Sequence, residues 1–268
     1  MERRSLEAAI YAMKTFTLLF LLAAFSVVQS KGEAPKDTRC FEMRTYYAAP
    51  GKLDDLQARF RNHTMRIFEK HGMVSIGYWT PIENPENQLI YVLAFPSREA
   101  RETAWKDFSN DPEWKKVAAE SEANGKLVTK VENRFLQATD FSPEVKPSTG
   151  AAPRVFELRT YTATEGHLPL LLKRFREHTM TLFERHGMAN LFYWTLMPGQ
   201  SGVDNTLVYM ITHPSQDAGL EQFKEFRADP DWVAVKDASE KEAGGSLTVQ
   251  PDGVKSVYLQ ATDYSPTK

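Results

Sequence analysis

Two histidines at equivalent positions of a duplicated sequence carry the side chains best suited to chemistry. His63 and His178 fall on the apolar stripe of a predicted helix, where leucine or isoleucine is expected, although the helical spacing also allows Thr64 in place of His63. A buried imidazole needs a hydrogen-bond partner, and in a cleft it can also act as a base or bind a metal. Two interpretations stay open: a structural histidine bonded to a backbone carbonyl or to a facing sheet, and a functional histidine in a cleft.

The spacing of the histidines argues against a metal site within one copy. His63 and His71 are eight residues apart, which is roughly 12 Å along a helix at 1.5 Å per residue. His71 and His186 have a simpler role, because a histidine in the last turn before a glycine interacts favourably with the helix dipole. The sequence therefore predicts no metal site.

A charged triplet on the first predicted strand of each copy is the second candidate site. Its members are Glu42, Arg44 and Tyr46 in the first copy, and Glu157, Arg159 and Tyr161 in the second. Strand alternation puts each triplet on one face, and we expect that face to point into the space between two sheets. Each arginine then either pairs with a glutamate of its own or the partner sheet, or binds a carboxylate ligand bidentately. Trp79 and Trp194 are candidates to line such a pocket, although aromatic residues in strands are more often plain core.

Other signatures of catalysis are missing from the sequence. It contains no P-loop, no dinucleotide-binding glycine pattern after a strand, no HExxH zinc spacing and no GxSxG elbow. Cys40 is the only cysteine and lies outside any thiol motif, so thiol catalysis has little support. The residues themselves predict no cofactor.

An internal repeat determines the architecture that positions these residues. Residues 41–80 align without a gap on residues 156–195, and 23 of the 40 positions are identical. Farther along, residues 135–143 match residues 258–266. One fold unit has therefore been duplicated and fused.

Within each copy the hydrophobic period changes in a fixed order. In the first copy, alternation predicts strands over 40–47, 73–80, 88–95 and about 129–138, and helical spacing predicts helices over 53–71 and 98–124. The second helix should break at Asp111-Pro112. The order βαββαβ is that of a ferredoxin-like unit, whose sheet leaves one face bare.

The predicted fold is therefore α+β, with two tandem ferredoxin-like units whose antiparallel sheets face each other as a fused dimeric α/β barrel. This makes the chain a pseudo-dimer. The predicted domains are 39–141 and 154–264, joined by an aperiodic linker over 142–153. Gly77 faces Phe192 in the alignment, so one copy is expected to have a more open pocket than the other.

The first thirty residues are expected to be a secretory signal peptide, cleaved near Ser30. The apolar run over 16–28 is shorter than a bilayer span requires, although an uncleaved anchor is the alternative. The mature protein is then exported, periplasmic or extracellular, with no membrane span. A formal net charge of −2 and interspersed signs argue against nucleic acid as a partner.

Four repeated strings resemble the NIPSNAP family, whose members adopt the dimeric α/β-barrel fold. In the first copy the strings are FEMRTY at 41–46, FRNHTM at 60–65, FEKHG at 68–72 and GYW at 77–79. The resemblance covers about 95 residues of each half. It implies the fold strongly and the function weakly. Wider barrel relatives include cofactor-free monooxygenases and haem-degrading enzymes, whose sites lie in a cleft between helix and sheet.

We expect a binding module or scaffold for a small apolar molecule or a protein partner. The candidate ligand-binding residues are Arg44, Tyr46, His63, Trp79, Arg159, Tyr161, His178 and Trp194. The alternative, drawn from the resemblance, is a cofactor-free or haem-using monooxygenase with His63 or His178 as base or axial ligand in a helix–sheet cleft.

Overall fold

A computed structural model describes residues 37–150 and 152–268. The predicted signal peptide lies outside the described residues. The strands are β1 (Cys40–Ala48), β2 (Val74–Pro81), β3 (Gln88–Phe95), β4 (Val128–Ala138), β5 (Val155–Thr162), β6 (Ala189–Leu196), β7 (Thr206–His213) and β8 (Val254–Ala261). Each predicted strand of the first copy is present, with ends that differ by one residue at most.

The helices follow the predicted order, with one addition in each half. They are α1 (Leu53–Arg59), α2 (Met65–Lys70), α3 (Arg98–Asn110) and α4 (Pro112–Ser121), then α5 (Leu168–Arg174), α6 (Met180–Arg185), α7 (Gln216–Ala228) and α8 (Pro230–Ala243). A π-helical turn joins α1 to α2 over Phe60–Thr64, and a second joins α5 to α6 over Phe175–Thr179. Periodicity alone did not predict these turns.

Strands of the described residues close into an antiparallel barrel in the order β1-β3-β2-β8-β5-β7-β6-β4. The first half (β1 to β4) and the second half (β5 to β8) meet at two seams. β2 pairs with β8 through residues 79–81 and 259–261, and β4 pairs with β6 through 136–138 and 194–196. The prediction of an α+β barrel is confirmed.

Apolar side chains form three cores. The barrel interior holds aromatic and aliphatic residues from both halves, among them Phe41, Trp79, Phe156, Trp194 and Met210. Each half also has a core between its helices and the outer face of its own strands. The barrel interior therefore joins the halves, and each helix layer belongs to one half.

Helix boundaries follow from capping chemistry repeated in both halves. Ser97 and Ser215 begin α3 and α7, and each side chain accepts a hydrogen bond from the backbone N–H three residues on. Asp111 and Asp229 cap α4 and α8, where proline occupies the first helical turn. These sites produce the break that Asp-Pro predicts.

The segment predicted as a plain linker, 142–153, is partly built into the barrel. Val145 is fully buried in the barrel core, and its carbonyl accepts a hydrogen bond of 2.7 Å from Arg39. The chain end pairs with the same segment, because the Lys268 N–H donates to Ser148 and the Gly150 N–H donates to Lys268. This end of the barrel interior is therefore covered.

The repeated segments 139–143 and 262–266 each pack on the opposite half. Thr139 donates its N–H to Tyr193 of β6, and Thr262 donates its N–H to Tyr78 of β2. Asp140 binds Arg176, and Asp263 binds Arg61 through two hydrogen bonds of 2.6 Å. The exchange is reciprocal, so the repeated motif ties the halves together. Among the described helices, none has the length and apolarity needed to cross a bilayer.

Candidate functional site

The charged triplets of β1 and β5 lie under the helices, so the prediction that they face the space between the sheets is wrong. Phe41 and Met43 point into the barrel interior, and Glu42 lies on the opposite face. The alternation of side chains along the strand was predicted correctly. The face that was expected to point into the barrel is, however, the face that packs against the helices. The interior is narrow and packed with apolar rings, whereas the helices offer polar partners to buried charges.

Glu42 is the centre of the first cluster. Its side chain is fully buried and accepts hydrogen bonds from Arg44 (2.8 Å), Arg101 (2.6 and 2.9 Å), the Trp105 indole (2.7 Å) and Asn133 (3.3 Å). Burial raises the pKa of Glu42, but the Arg101 hydrogen bonds and the two arginine charges outweigh it, so the pKa lies below its ordinary value. Arg44 thus pairs with a glutamate of its own strand, as one of the two interpretations predicted.

Glu157 is the centre of the second cluster, with different partners. It accepts hydrogen bonds from Arg159 (2.5 Å), from Ser256 and from His213 Nε2 (2.9 Å). The other ring nitrogen of His213 lies 2.7 Å from Gln222 Oε1, and Gln222 donates its amide to the Gly187 carbonyl. Both ring nitrogens of His213 therefore lie within hydrogen-bond distance of a side-chain oxygen.

His213 is the important residue that sequence reasoning missed. The aligned position in the first half is Phe95, and the position of Arg101 is Gly219 in the second half. A Cβ on Gly219 would lie 3.0 Å from the His213 ring and 2.8 Å from the Tyr258 hydroxyl. The two differences are therefore linked: the ring of His213 occupies the space that a side chain at 219 would need. Paired differences between copies were the available signal.

Tyr46 and Tyr161 share the helix side with these clusters. Arg44 lies 5.4 Å from the Tyr46 ring centre, and Arg159 donates to the Tyr161 hydroxyl at 3.2 Å. Tyr46 and Arg44 therefore lie together, as do Tyr161 and Arg159. Each set is separated from the tryptophans by a strand layer.

Trp79 and Trp194 are fully buried in the barrel interior and pack on Phe156 and Phe41 respectively. The open pocket expected at Gly77 is absent: the Trp79 ring lies within 2.3 Å of the position that a Cβ on Gly77 would take. Glycine at 77 makes room for the indole. The two tryptophans serve as core in the described residues.

His63 and His178 lie on the outer surface, so their predicted placement in a helix–sheet cleft is wrong. Both are exposed. The π-helical turn adds one residue, so Thr64 and Thr179 face inward instead. Each threonine hydroxyl donates to the carbonyl five residues earlier, at 3.2 and 3.1 Å. A one-residue shift of the helix face moves the histidines into solvent.

Both histidines line a groove between the first and the last helix of their half. The first groove has a volume of about 380 Å³ and is lined by Lys52, Asp55, Ala58, Arg59, Asn62, His63, Val117, Glu120, Ser121 and Asn124. The second groove has a volume of about 330 Å³ and is lined by Leu170, Lys173, Arg174, Glu177, His178, Ala234, Val235, Ala238, Ser239 and Glu242. Nine of these positions correspond in the repeat, which makes the grooves a matched pair.

Each groove has a buried arginine, and only one of the two is closely paired. Arg59 donates to Glu122 at 3.0 Å and to Ser121 at 3.3 Å. Arg174 donates to Ser239 at 3.2 Å, and its nearest carboxylate, Glu240, is 4.0 Å away. Burial lowers the pKa of Arg174. The second groove therefore holds a buried cation with weak compensation.

Lys236 explains the looser pairing in the second half. It binds Glu240 at 3.0 Å, and the aligned residue in the first half is Ala118, which has no charge. The aligned carboxylate Glu122 is free of such competition and reaches Arg59. One substitution on the last helix thus changes the partner of the buried arginine.

Two further substitutions change the lining of the grooves. Asp55 and Glu120 of the first groove align with Leu170 and Ala238 of the second. Two acids are therefore replaced by apolar side chains around Arg174. Glu177 and Glu242, both about half exposed, replace Asn62 and Asn124, so each groove has two acidic lining residues at different positions.

A model of the NIPSNAP family matches residues 41–143 and 156–247. A search of curated protein sequences gave no match. An uncharacterized NIPSNAP-like domain protein from Burkholderia xenovorans is 22% identical, with a TM-score of 0.37 over 41% of this chain and 94% of that one. A NIPSNAP family protein from Agrobacterium tumefaciens is 26% identical, with a TM-score of 0.36 over 39% and 97%.

Two other solved structures align over most of the chain. A putative monooxygenase from Fusobacterium nucleatum is 11% identical, with a TM-score of 0.53 over 84% of this chain and 93% of that one. An anthrone oxidase-like protein is 12% identical, with a TM-score of 0.53 over 84% and 92%. At such identities the likeness concerns the fold alone.

Proposed function

The chain belongs to the NIPSNAP family, and we propose that it is a binding protein for a small amphipathic carboxylate, held in the second groove. The observation that carries this proposal is Arg174: a buried cation, 4.0 Å from its nearest carboxylate, on an apolar groove. A ligand carboxylate supplies the close anion that Glu240 does not.

The proposed orientation follows from the lining. The carboxylate binds Arg174, with Lys173 and His178 on the same groove. The alkyl chain lies along Leu170, Ala234, Val235 and Ala238. A groove of about 330 Å³ lies at the low end of the ~300–1,000 Å³ typical of small-molecule sites. The ligand is therefore a short chain.

We further propose that each half is a ferredoxin-like unit and that fusion makes a covalent pseudo-dimer. Pairing of β4-β1-β3-β2 in the first half and β8-β5-β7-β6 in the second supports this. Such a scaffold has two copies of the groove, one in each half, so one copy can lose ligand binding while the other retains it. The first groove is proposed to be the inactive copy, because Glu122 already neutralises Arg59 at 3.0 Å.

A calorimetric titration of the purified protein with decanoate tests the proposal. We expect one decanoate per chain, and no binding of decanol, which has the same chain without the charge. Arg174→Met should weaken decanoate binding roughly ten- to a hundredfold, since a charge-assisted hydrogen bond contributes about 1.5–3 kcal/mol. The matched control, Arg59→Met, should leave binding unchanged.

Lys236→Ala tests the same site while Arg174 stays in place, so a folding defect caused by replacing Arg174 does not explain its effect. Lys236 does not line the groove, yet its removal frees Glu240 to approach Arg174, so decanoate binding should weaken. The reverse transplant, Asp55→Leu with Ala118→Lys and Glu120→Ala, should create a second decanoate site in the first half. Equal weakening by Arg59→Met and Arg174→Met, or binding of decanol as strong as decanoate, would overturn the proposal.

A further inference from the structure

One end of the barrel interior is open and polar. Val145 and the C-terminal residues cover the other end. Only residues 136–138 of β4 and 259–261 of β8 pair across the seams between the halves. At the open end, the earlier residues of both strands therefore extend beyond the seams. We call this opening, formed by the inward faces of β1, β3, β4, β5 and β8, the barrel mouth.

Two adjoining cavities occupy the barrel mouth, with volumes of about 170 and 480 Å³. They share Asn133, Arg134, Thr160 and Lys255. The floor of the smaller cavity is apolar, with Met43 and Leu158. Hydroxyl groups line the walls, contributed by Thr45, Tyr47, Thr160, Thr162, Ser201 and Thr206.

Arg134 and Lys255 enter this space from opposite halves. Arg134 donates to the Thr160 hydroxyl at 3.3 Å, and Lys255 has no hydrogen bond or ion pair from its side chain within residues 37–150 and 152–268. The acid Glu132 also lines the smaller cavity, where Lys130 binds it at 2.5 Å. The cavities therefore have two cations whose charge is incompletely balanced, one on each side.

Arg134 and Lys255 do not occupy equivalent positions of the repeat. Arg134 aligns with Val257, and Lys255 aligns with Glu132, so an exact duplication would give a different charge pattern. The asymmetry leaves one positive side chain per half on the shared cavities. A ligand with two negative charges fits between Arg134 and Lys255, because each half of the barrel supplies one of the two cations.

We propose that the barrel mouth binds the phosphate monoester of a small polyol. The dianionic phosphate lies between Arg134 and Lys255, and the polyol hydroxyls bond to the threonine side chains of the wall. This site is separate from the second groove and does not depend on the function proposed for it. β-Barrel mouths are one of the places where small-molecule sites recur.

Titration of the full-length protein with glycerol 3-phosphate tests this inference. We expect saturable binding, weaker binding of inorganic phosphate and none of glycerol. Arg134→Met and Lys255→Met should each weaken glycerol 3-phosphate at least about tenfold, and the double variant should abolish binding. Arg134→Lys should retain most of it.

Two controls separate this site from general attraction to positive charge and from the second groove. Lys116→Met removes an exposed helical cation elsewhere and should leave glycerol 3-phosphate binding unchanged. Arg174→Met should also leave it unchanged while decanoate binding falls. Absence of saturable binding to the wild-type protein, or equal weakening by Lys116→Met, overturns the inference.

Discussion

The two helix–sheet clusters keep the same buried carboxylate and differ in what neutralises it. In the first half, Arg101 reaches Glu42 from α3; in the second, His213 reaches Glu157 from the end of β7. The position of Arg101 is taken by Gly219. The comparison teaches that the fold requires a second hydrogen-bond donor beside this carboxylate, but not one particular residue to supply it.

The same logic separates the two grooves. Arg59 and Arg174 are equally buried, yet the presence of Lys236 leaves Arg174 without a close carboxylate. A duplicated charge pair was thus kept tight in one half and loosened in the other. Under the proposed function, the loosened pair is where this duplicated scaffold binds its ligand.

Removing either buried carboxylate should have the largest effect on stability. Glu42→Leu leaves Arg44 buried without its anion and leaves Arg101 with Glu102 alone, and Glu157→Leu removes the carboxylate that Arg159 and His213 contact. Each change should lower the free energy of unfolding by about 3–5 kcal/mol. Urea unfolding measures this, and a loss below about 1 kcal/mol in either half would show that its cluster is not needed for folding.

Exchanging the residues that contact Glu157 for those of the first half should reveal strong energetic coupling between positions 213 and 219. His213→Phe removes the partner of Glu157, and Gly219→Arg alone places a side chain against the His213 ring, so each single variant should be destabilised. The double variant recreates the first-half arrangement and should be more stable than the sum of the single effects predicts, by about 0.5–3 kcal/mol. Strict additivity would contradict the linkage of the two positions.

Acid should destabilise the protein through the same carboxylates, with a smaller effect. Burial raises the pKa of Glu42 and Glu157, but the Arg101 and His213 hydrogen bonds outweigh it, so both lie below the ordinary value of 4.5. Their stabilising contribution is therefore complete above pH 4.5 and is lost as the pH falls through the folded-state pKa.

A variant that lacks both carboxylates provides the comparison for this pH effect. Glu42→Gln with Glu157→Gln should lose less stability than the wild type when the pH falls from about 6 to about 3. Urea midpoints at each pH give the two curves. Parallel curves would mean that other acids cause the loss.

Periodicity was sufficient to predict the strands, the helices and the α+β barrel, because the hydrophobic period changes between strand and helix spacing in each copy. It could not say which face of β1 looks inward: Glu42 and Phe41 alternate in either case, and only the packed structure distinguishes the interior from the helix side. His63 was misplaced by a single residue, because helical spacing allowed either His63 or Thr64 on the apolar stripe, and Thr64 is the one that is buried. His213 was overlooked because it has no counterpart in the first half, although the linked change at Gly219 was visible.

A crystal structure of the protein with decanoate tests the central claim most directly. We predict the ligand in the second groove, with its carboxylate within hydrogen-bond distance of Arg174 and its chain along α8, while the first groove stays empty. Decanoate bound to Arg59 in the first groove, or with the same occupancy in both grooves, would contradict the claim that the loosened arginine pair makes the binding site.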